Sequence, residues 1–488
     1  MPPQAPLVIT REEVLAVYAQ GPEAVVSLVL TLVERINALE ARVAALEAER
    51  AKDSRTSSKP PSGDVVRRPR SLRGKSGKRP GGQPGHDGHT LALRAEPDRV
   101  IEHAPAACAG CGAALPGRQG AGRRLVPGER RQVFELPPVR LTCTEHRLLE
   151  QRCPACGTWT PGRFPAAART TAQYGPGLLG LGVYLTTQHL LPVARAAEVL
   201  AALTGRRVSP ATLVAAEARG ASALAPVMQR IRAGLTRAPV IHVDETGFFI
   251  AGRRQWLHTV STPALTYYTP HAKRGCGAHD AIGLLPAYAG TAVHDCYDSY
   301  FTYPCRHALC VVHLLRELTF FAEEHGARWA AALKRSLLAM KRGVARARAA
   351  GRAALERRTR RRYEGRYDAL LAAGEAAQPP PRARTDHGGR PRRTPAGNLL
   401  VRLRRHRAAV LRFLDDFAVP FDNSEAERDL RMMKVEQKVS GGFRTPHGAQ
   451  TFCTLRGYVA TARKQGGSAL DALRELFAGH PFIPAVPE

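Results

Sequence analysis

The chain has 488 residues, 44% of them hydrophobic, and carries 72 Lys and Arg against 42 Asp and Glu, a formal net charge of +30. It is too long for one ordinary core and too apolar for a wholly disordered chain, and no stretch approaches the roughly 20 apolar residues of a membrane span. A field of this sign attracts polyanions, and nucleic acid is the default partner because each neutralised phosphate releases counterions.

Met1 to Glu13 lacks the basic start and apolar run of a secretory signal, so a cytoplasmic, nucleoid-associated protein is expected. Residues 11–52 read as a helix. Val29, Leu32, Ile36, Leu39, Val43 and Leu46 recur at alternating steps of three and four, the a/d seam of a coiled coil. Arg35 and Arg42 then fall at g positions and Glu40 and Glu47 at e, where they can pair across chains. A homo-oligomer, dimer or higher, is expected. Residues 53–100 are rich in Ser, Gly, Pro, Lys and Arg and read as a basic flexible linker.

Residues 101–166 hold Cys108-x-x-Cys111 and Cys153-x-x-Cys156, with Cys143-x-x-His146 between them. A C-x-x-C turn presents two thiolates to one ion, and Zn2+ favours four S or N ligands in a tetrahedron. One structural zinc is expected, with three pairs competing for it. Residues 167–235 read as helical. Leu191-Pro192 opens a helix that runs through Leu203, Gly205 ends it, and Ser209-Pro210 caps the next. Two short helices joined by a tight glycine turn fit a helix-turn-helix, as they fit any helical hairpin.

Strand-like runs cluster at Val240–Val243, Trp256–Ser261, Leu265–Thr269, Thr291–His294 and Leu309–Val312, with a helical segment at 278–288. A catalytic domain is expected over 236–465, with a basic helical insertion at about 320–415 that includes the arginine run Arg357–Arg362. Residues 377–396 form a polar break inside that insertion, and residues 466–488 read as a C-terminal tail.

Asp244 and Asp295 each follow an apolar run and are expected at strand ends. Glu427 lies in a stretch that reads as a helix capped by Asn423 or Ser424. Two strand-end aspartates and a helical glutamate can hold two hard divalent ions, Mg2+ or Mn2+, about 4 Å apart. Asp298 competes with Asp295 for the middle role, and Glu425 with Glu427. Glu245, next to Asp244, would face away along a strand. Lys434 lies seven residues beyond Glu427 on the same helix face, Lys438 continues that face, and Arg444 follows a Gly-Gly-Phe turn; all three read as DNA phosphate contacts. Cys310 and His313 read as a brace between the last strand and the next helix.

The wording of these segments resembles the insertion sequence family sixty-six (IS66-type) bacterial transposases over roughly 30–465. SSKPPS and GGQPGH come first, then the two C-x-x-C pairs, then VDET at 243–246, D-x-Y-x-x-Y at Asp295–Tyr300, Cys310-x-x-His313 and DNSEAER at 422–428, in the family's order. The sequence departs from the family with Cys296 in place of the usual glycine. The resemblance implies a multidomain α+β protein with a ribonuclease-H-like catalytic domain. Its triad would be Asp244 from VDET, Asp295 from the D-x-Y motif and Glu427 from the E-R pair. It also implies Cys108, Cys111, Cys153 and Cys156 as the zinc set, transposon-end and target DNA as substrates, and small accessory proteins from the same element.

Overall fold

The computed structural model describes residues 10–50, 91–115, 129–137, 139–165, 168–380 and 393–487. SSKPPS, GGQPGH, most of the 53–100 linker, part of the polar break, and the side chains of Arg42, Leu46 and Glu47 lie outside these residues. The chain divides into a small unit, built mainly on residues 70–144, and a large unit that holds nearly all the rest.

In the small unit, Arg94 and Gln132 exchange two hydrogen bonds, and an Ala107–Ala114 bridge closes the turn that carries Cys108 and Cys111.

The large unit begins with α1 (Arg11–Ala19) and α2 (Pro22–Arg50). Thr10 and Glu13 bond reciprocally at the start of α1, satisfying amide groups that the first helical turn leaves without partners. A short antiparallel pair, β1 (Glu150–Arg152) and β2 (Trp159–Pro161), flanks the second cysteine turn.

Four helices follow: α3 (Pro176–Val183), α4 (Val193–Thr204), α5 (Pro210–Ala223) and α6 (Ala225–Arg237). The glycine turn is as read from the sequence: Gly205 has φ +69, and the Ser209 hydroxyl accepts from the Ala211 amide with Pro210 at the first helical position.

A five-stranded sheet comes next, made of β3 (Val240–Ile250), β4 (Arg253–Ser261), β5 (Thr266–His271), β6 (Thr291–His294) and β7 (Arg306–Leu309), in the order β5-β4-β3-β6-β7. The first three strands run antiparallel, and β3, β6 and β7 run parallel. The β3–β4 hairpin turns on Ala251 and Gly252, both with positive φ (49 and 73), matching the twist of the strands it joins. Between β5 and β6 the expected single helix is two pieces, α7 (Cys276–Ile282) and a 3-10 turn at Leu285–Ala287, because Gly283 turns left-handed between them.

Among the described residues, five helices interrupt the sheet domain: α8 (Val311–Glu324), α9 (Arg328–Ala349), α10 (Arg357–Ala376), α11 (Pro395–Arg405) and α12 (Arg407–Asp415). They bury their own apolar cluster, including Leu318, Leu333, Met340, Tyr367, Leu400 and Leu403. The chain then returns through α13 (Ser424–Ser440), α14 (Pro446–Lys464) and α15 (Ala469–Ala478). Ile241, Val243 and Val260 of the sheet share one core with Leu179 of α3, Ile231 of α6, Tyr458 of α14 and Leu473 of α15.

Three expectations need correction. Residues 466–488 are not a plain tail: Ser468 caps α15, whose Leu473 and Leu476 are buried in the central core. The last strand lies earlier than expected, at Arg306–Leu309, because Val311 already begins α8. Asp244 is not at a strand terminus either. β3 continues to Ile250 because β4 pairs with it along its whole second half.

Candidate active site

β3 is paired on both sides only at its start. β6 bonds to Val240, Ile241 and His242 and then ends at His294, whereas β4 follows β3 from His242 to Ile250. Asp244 and Asp295 therefore both lie just past the parallel pairing, where the sheet opens on that side. The Asp244 carboxylate accepts the Glu245 amide at 2.8 Å, and Asp295 accepts the Tyr297 amide at 2.9 Å. Burial, then the Glu245 charge, raise both acids: Asp295 to about 7, Asp244 well above the usual carboxylate range, with the Asp295 and Glu427 charges adding to the shift at Asp244. Asp298, by contrast, is exposed at the start of a 3-10 turn.

Glu245 faces away from Asp244 along the strand, as expected, but into a buried polar cluster. Its side chain is 1% exposed, pairs with Arg274 and accepts from the Tyr300 hydroxyl. The Arg274 guanidinium also reaches Asp295 at 3.7 Å and lies over the rings of Tyr297 and Trp256, 4.0 and 5.1 Å from their centroids. It is thus held by charge on one edge and by aromatic faces on the others.

Glu427 arrives on α13. Asn423 stands at the N-cap position, yet its side chain does not cap the helix. Its amide nitrogen donates to the Val243 carbonyl at 2.9 Å, and its oxygen lies 2.8 Å from His242 Nδ1, which must be the donor. These bonds tie the start of α13 to the residue before Asp244. Glu427 faces Cys310 and His313, its Oε1 3.8 Å from the thiol sulfur and 3.9 Å from His313 Nδ1, and burial raises it. Its charge is felt at Asp244. Glu425 lies on another side of the helix, where Lys464 bridges it and Asp429 at 2.9 and 2.7 Å.

Of the expected phosphate contacts, Lys438 and Arg444 are exposed. Lys434 is half-buried and, with Gln437, donates to the Gly247 carbonyl of β3. The turn before Arg444 is anchored to the end of β3 through two Phe443 backbone bonds. In α10, the arginines of Arg357–Arg362 are exposed, and Arg360 pairs with Glu364 and Asp415.

The two C-x-x-C segments make the same local turn. In one, the Gly112 amide donates to the Cys108 carbonyl; in the other, the Gly157 amide donates to the Cys153 carbonyl, both at 2.9 Å with glycine φ near +73. Hydrogen bonds lower two of the thiols: Cys108 through the Cys111 and Gly110 backbone, and Cys156 through Thr158. Cys143 and His146 are exposed.

The profile of the transposase IS66 family matches residues 171–451, more than half of the chain. A second profile, a family of unknown function (DUF6444), matches residues 15–92. No curated protein matches the chain. An α+β chain matched over this length belongs to the transposase IS66 family. Membership implies transposase function, DNA substrates and use of a divalent metal.

Sequence reasoning did not find Arg274 or the part played by Asn423. Asn423 stood in a recognised motif but read as a helix cap. Arg274 carries no local signal, since its partners lie 29 and 21 positions away across the sheet.

Proposed function

We propose that the chain is a DDE-type polynucleotidyl transferase with a ribonuclease-H-like catalytic domain. It would cleave at the ends of its element and join the freed 3′-hydroxyls to target DNA. The observation that carries this reading is the placement of Asp244 and Asp295 just past the point where β6 leaves β3, Asp244 feeling the charges of Asp295 and Glu427, with the helix of Glu427 tied to the residues before Asp244 by Asn423. The sheet order, three antiparallel strands followed by two parallel ones, supports the fold assignment, and the α8–α12 insertion then lies between the second aspartate and the glutamate.

The acids fit Mg2+ or Mn2+. They are hard oxygen donors, Asp244 and Asp295 half-buried, and at Asp295 the charge of Arg274, the Tyr297 amide and Arg402 offset part of the upward shift. Asp244, Asp295 and Glu427 would hold the metal, which when bound stabilises charge on the attacking and leaving oxygens of the phosphodiester. The chain's other residues have separate tasks. Arg274 orients the Asp295 carboxylate, Glu245 and Tyr300 hold Arg274 in place, and Asn423 sets the position of Glu427. Lys438, Arg444 and the exposed arginines of α10 would contact phosphates; Lys434 would do so after leaving the Gly247 carbonyl.

Cys108, Cys111, Cys153 and Cys156 would serve as structural Zn2+ ligands, a reading supported by the like turns of the two pairs and by the lowered Cys108 and Cys156 thiols. The domains would run 11–52, 53–100, 101–166, 167–235 and 236–465, α15 beyond them packing into the central core, with the helical pair α4–α5 as an end-reading module. α2 would pair with another copy, and small accessory proteins of the same element would assist.

A strand-transfer assay with purified protein, Mg2+ or Mn2+ and a labelled pre-cleaved element end tests the proposal. Wild type should join the end to target DNA, whereas Asp244→Ala, Asp295→Ala and Glu427→Ala should bind it but fall at least about a hundredfold in joining. Binding without joining by the wild type, even with accessory proteins added, would leave a DNA-end-binding protein instead.

A further inference from the structure

Cys310 and His313 were expected to brace the sheet against α8. They lie one helical turn apart at the start of that helix and so present their side chains on one face. The fold brings Glu427 to that face from 114 positions away in sequence. One ligand atom from each of the three residues then lies within 4.8 Å of the others.

We propose that Cys310, His313 and Glu427 form a binding site for a thiophilic divalent cation, with Zn2+ the best chemical match. Three features beyond proximity support it. Among the described residues, His313 Nδ1 is buried and has no hydrogen-bond partner, although it faces the other two ligand atoms. A buried imidazole nitrogen left without a partner is costly unless something occupies the space it faces. The Asn423 backbone N–H donates to the Cys310 sulfur at 3.2 Å, the kind of contact that a metal-bound sulfur accepts. Finally, the spacings fit. Ordinary zinc bond lengths place sulfur, nitrogen and oxygen ligands about 3.3–3.5 Å apart in a tetrahedron, and the sulfur–oxygen and nitrogen–oxygen separations here are 3.8 and 3.9 Å. The sulfur and the imidazole nitrogen lie within 4.8 Å of each other, and an ion would draw the three ligand atoms in.

A neutral imidazole, a thiolate and a carboxylate balance the charge of one divalent ion, so the occupied site would be neutral beside Arg316, which also acts on Glu427 and His313. The donor set differs in kind from the three carboxylates. A soft sulfur selects Zn2+ over Mg2+, which prefers oxygen and keeps its waters. If the catalytic reading of Glu427 holds, occupancy also engages that carboxylate. The site itself does not depend on that reading.

The full chain, loaded with Co2+ in place of Zn2+, tests the proposal through metal content and the thiolate-to-cobalt charge-transfer band, neither of which requires catalysis. A Cys108→Ser/Cys143→Ser/Cys153→Ser background breaks each of the other pairs. In that background the protein should retain one bound Co2+ with a thiolate band. Cys310→Ser should lose both, and His313→Gln should lose the ion while keeping wild-type circular dichroism. His313→Gln also decides the matter if Cys310→Ser does not fold. Equal metal content and an equal band with and without the His313 change would overturn the site. So would a background that binds no ion while retaining its fold.

Discussion

Asp295 shows how one residue couples stability to chemistry. Its carboxyl is raised to about 7 by burial and by Glu245, whereas in an unfolded chain it titrates near 4. A carboxyl that holds its proton more tightly when folded contributes stability that is complete below about pH 4 and is lost as pH rises to about 7. Asp295→Asn removes that loss. In the absence of added divalent cation, the variant should therefore melt several degrees above wild type at pH 8, and the difference should shrink as pH falls towards 4. Equal melting temperatures at pH 8 would mean that Arg274 already neutralises the site. The same titration predicts that half-saturation by Mg2+ weakens as pH falls below about 7, because the metal must displace the proton.

At the scale of elements, the junction between α13 and β3 sets the geometry. Asn423 serves two buried partners on β3, His242 and the Val243 carbonyl. Asn423→Ala leaves both unpaired, and each buried orphan costs about 1–3 kcal/mol. Urea unfolding should show that loss, and strand transfer should fall more steeply than end binding, because the helix that carries Glu427 loses its tie. A fall in end binding as large as the fall in joining would show a general loss of fold instead. The other end of β3 makes a similar demand. Gly442 has φ +153, and a Cβ there would meet the Phe249 carbonyl oxygen at 2.5 Å. Gly442→Ala should detach the turn that carries Arg444, at a cost of about 1–3 kcal/mol, measured as a lower urea midpoint.

For the whole molecule, the apolar stripe of α2 and the positive charge make separate predictions. Val29, Ile36, Leu39 and Val43 are 50–55% exposed, so their apolar surface is available to another chain. Ile36→Asp with Leu39→Asp should shift the light-scattering mass towards the monomer and lower the joining of paired ends. An unchanged mass would place self-association elsewhere. End binding should weaken steeply with salt, the logarithm of affinity falling about 0.9 for each phosphate neutralised per unit of log salt. Replacing two exposed arginines of α10 by alanine should flatten that slope if α10 lies along DNA.

Much of the local structure was legible in the sequence because its causes are local. Helix caps and turns depend on residues a few positions apart, so Ser209-Pro210, Gly205 and four of the five strands could be read directly, at least in outline. The order of motifs that indicates the family is also linear. Strand ends were less legible: β3 runs past Asp244 because β4 pairs with it, and no residue within β3 announces that partner. The relations among distant side chains were decided by tertiary structure alone. Asp295 is half-buried and Asp298 exposed, Glu425 turns to Lys464 and Glu427 to Cys310, and Arg274 joins Glu245 to Asp295. Each depends on which surfaces a five-stranded sheet and an inserted helical bundle bring together. A sequence states which groups are present, but burial, charge and hydrogen bonding act through space, and the neighbours that set them lie scores of residues away along the chain.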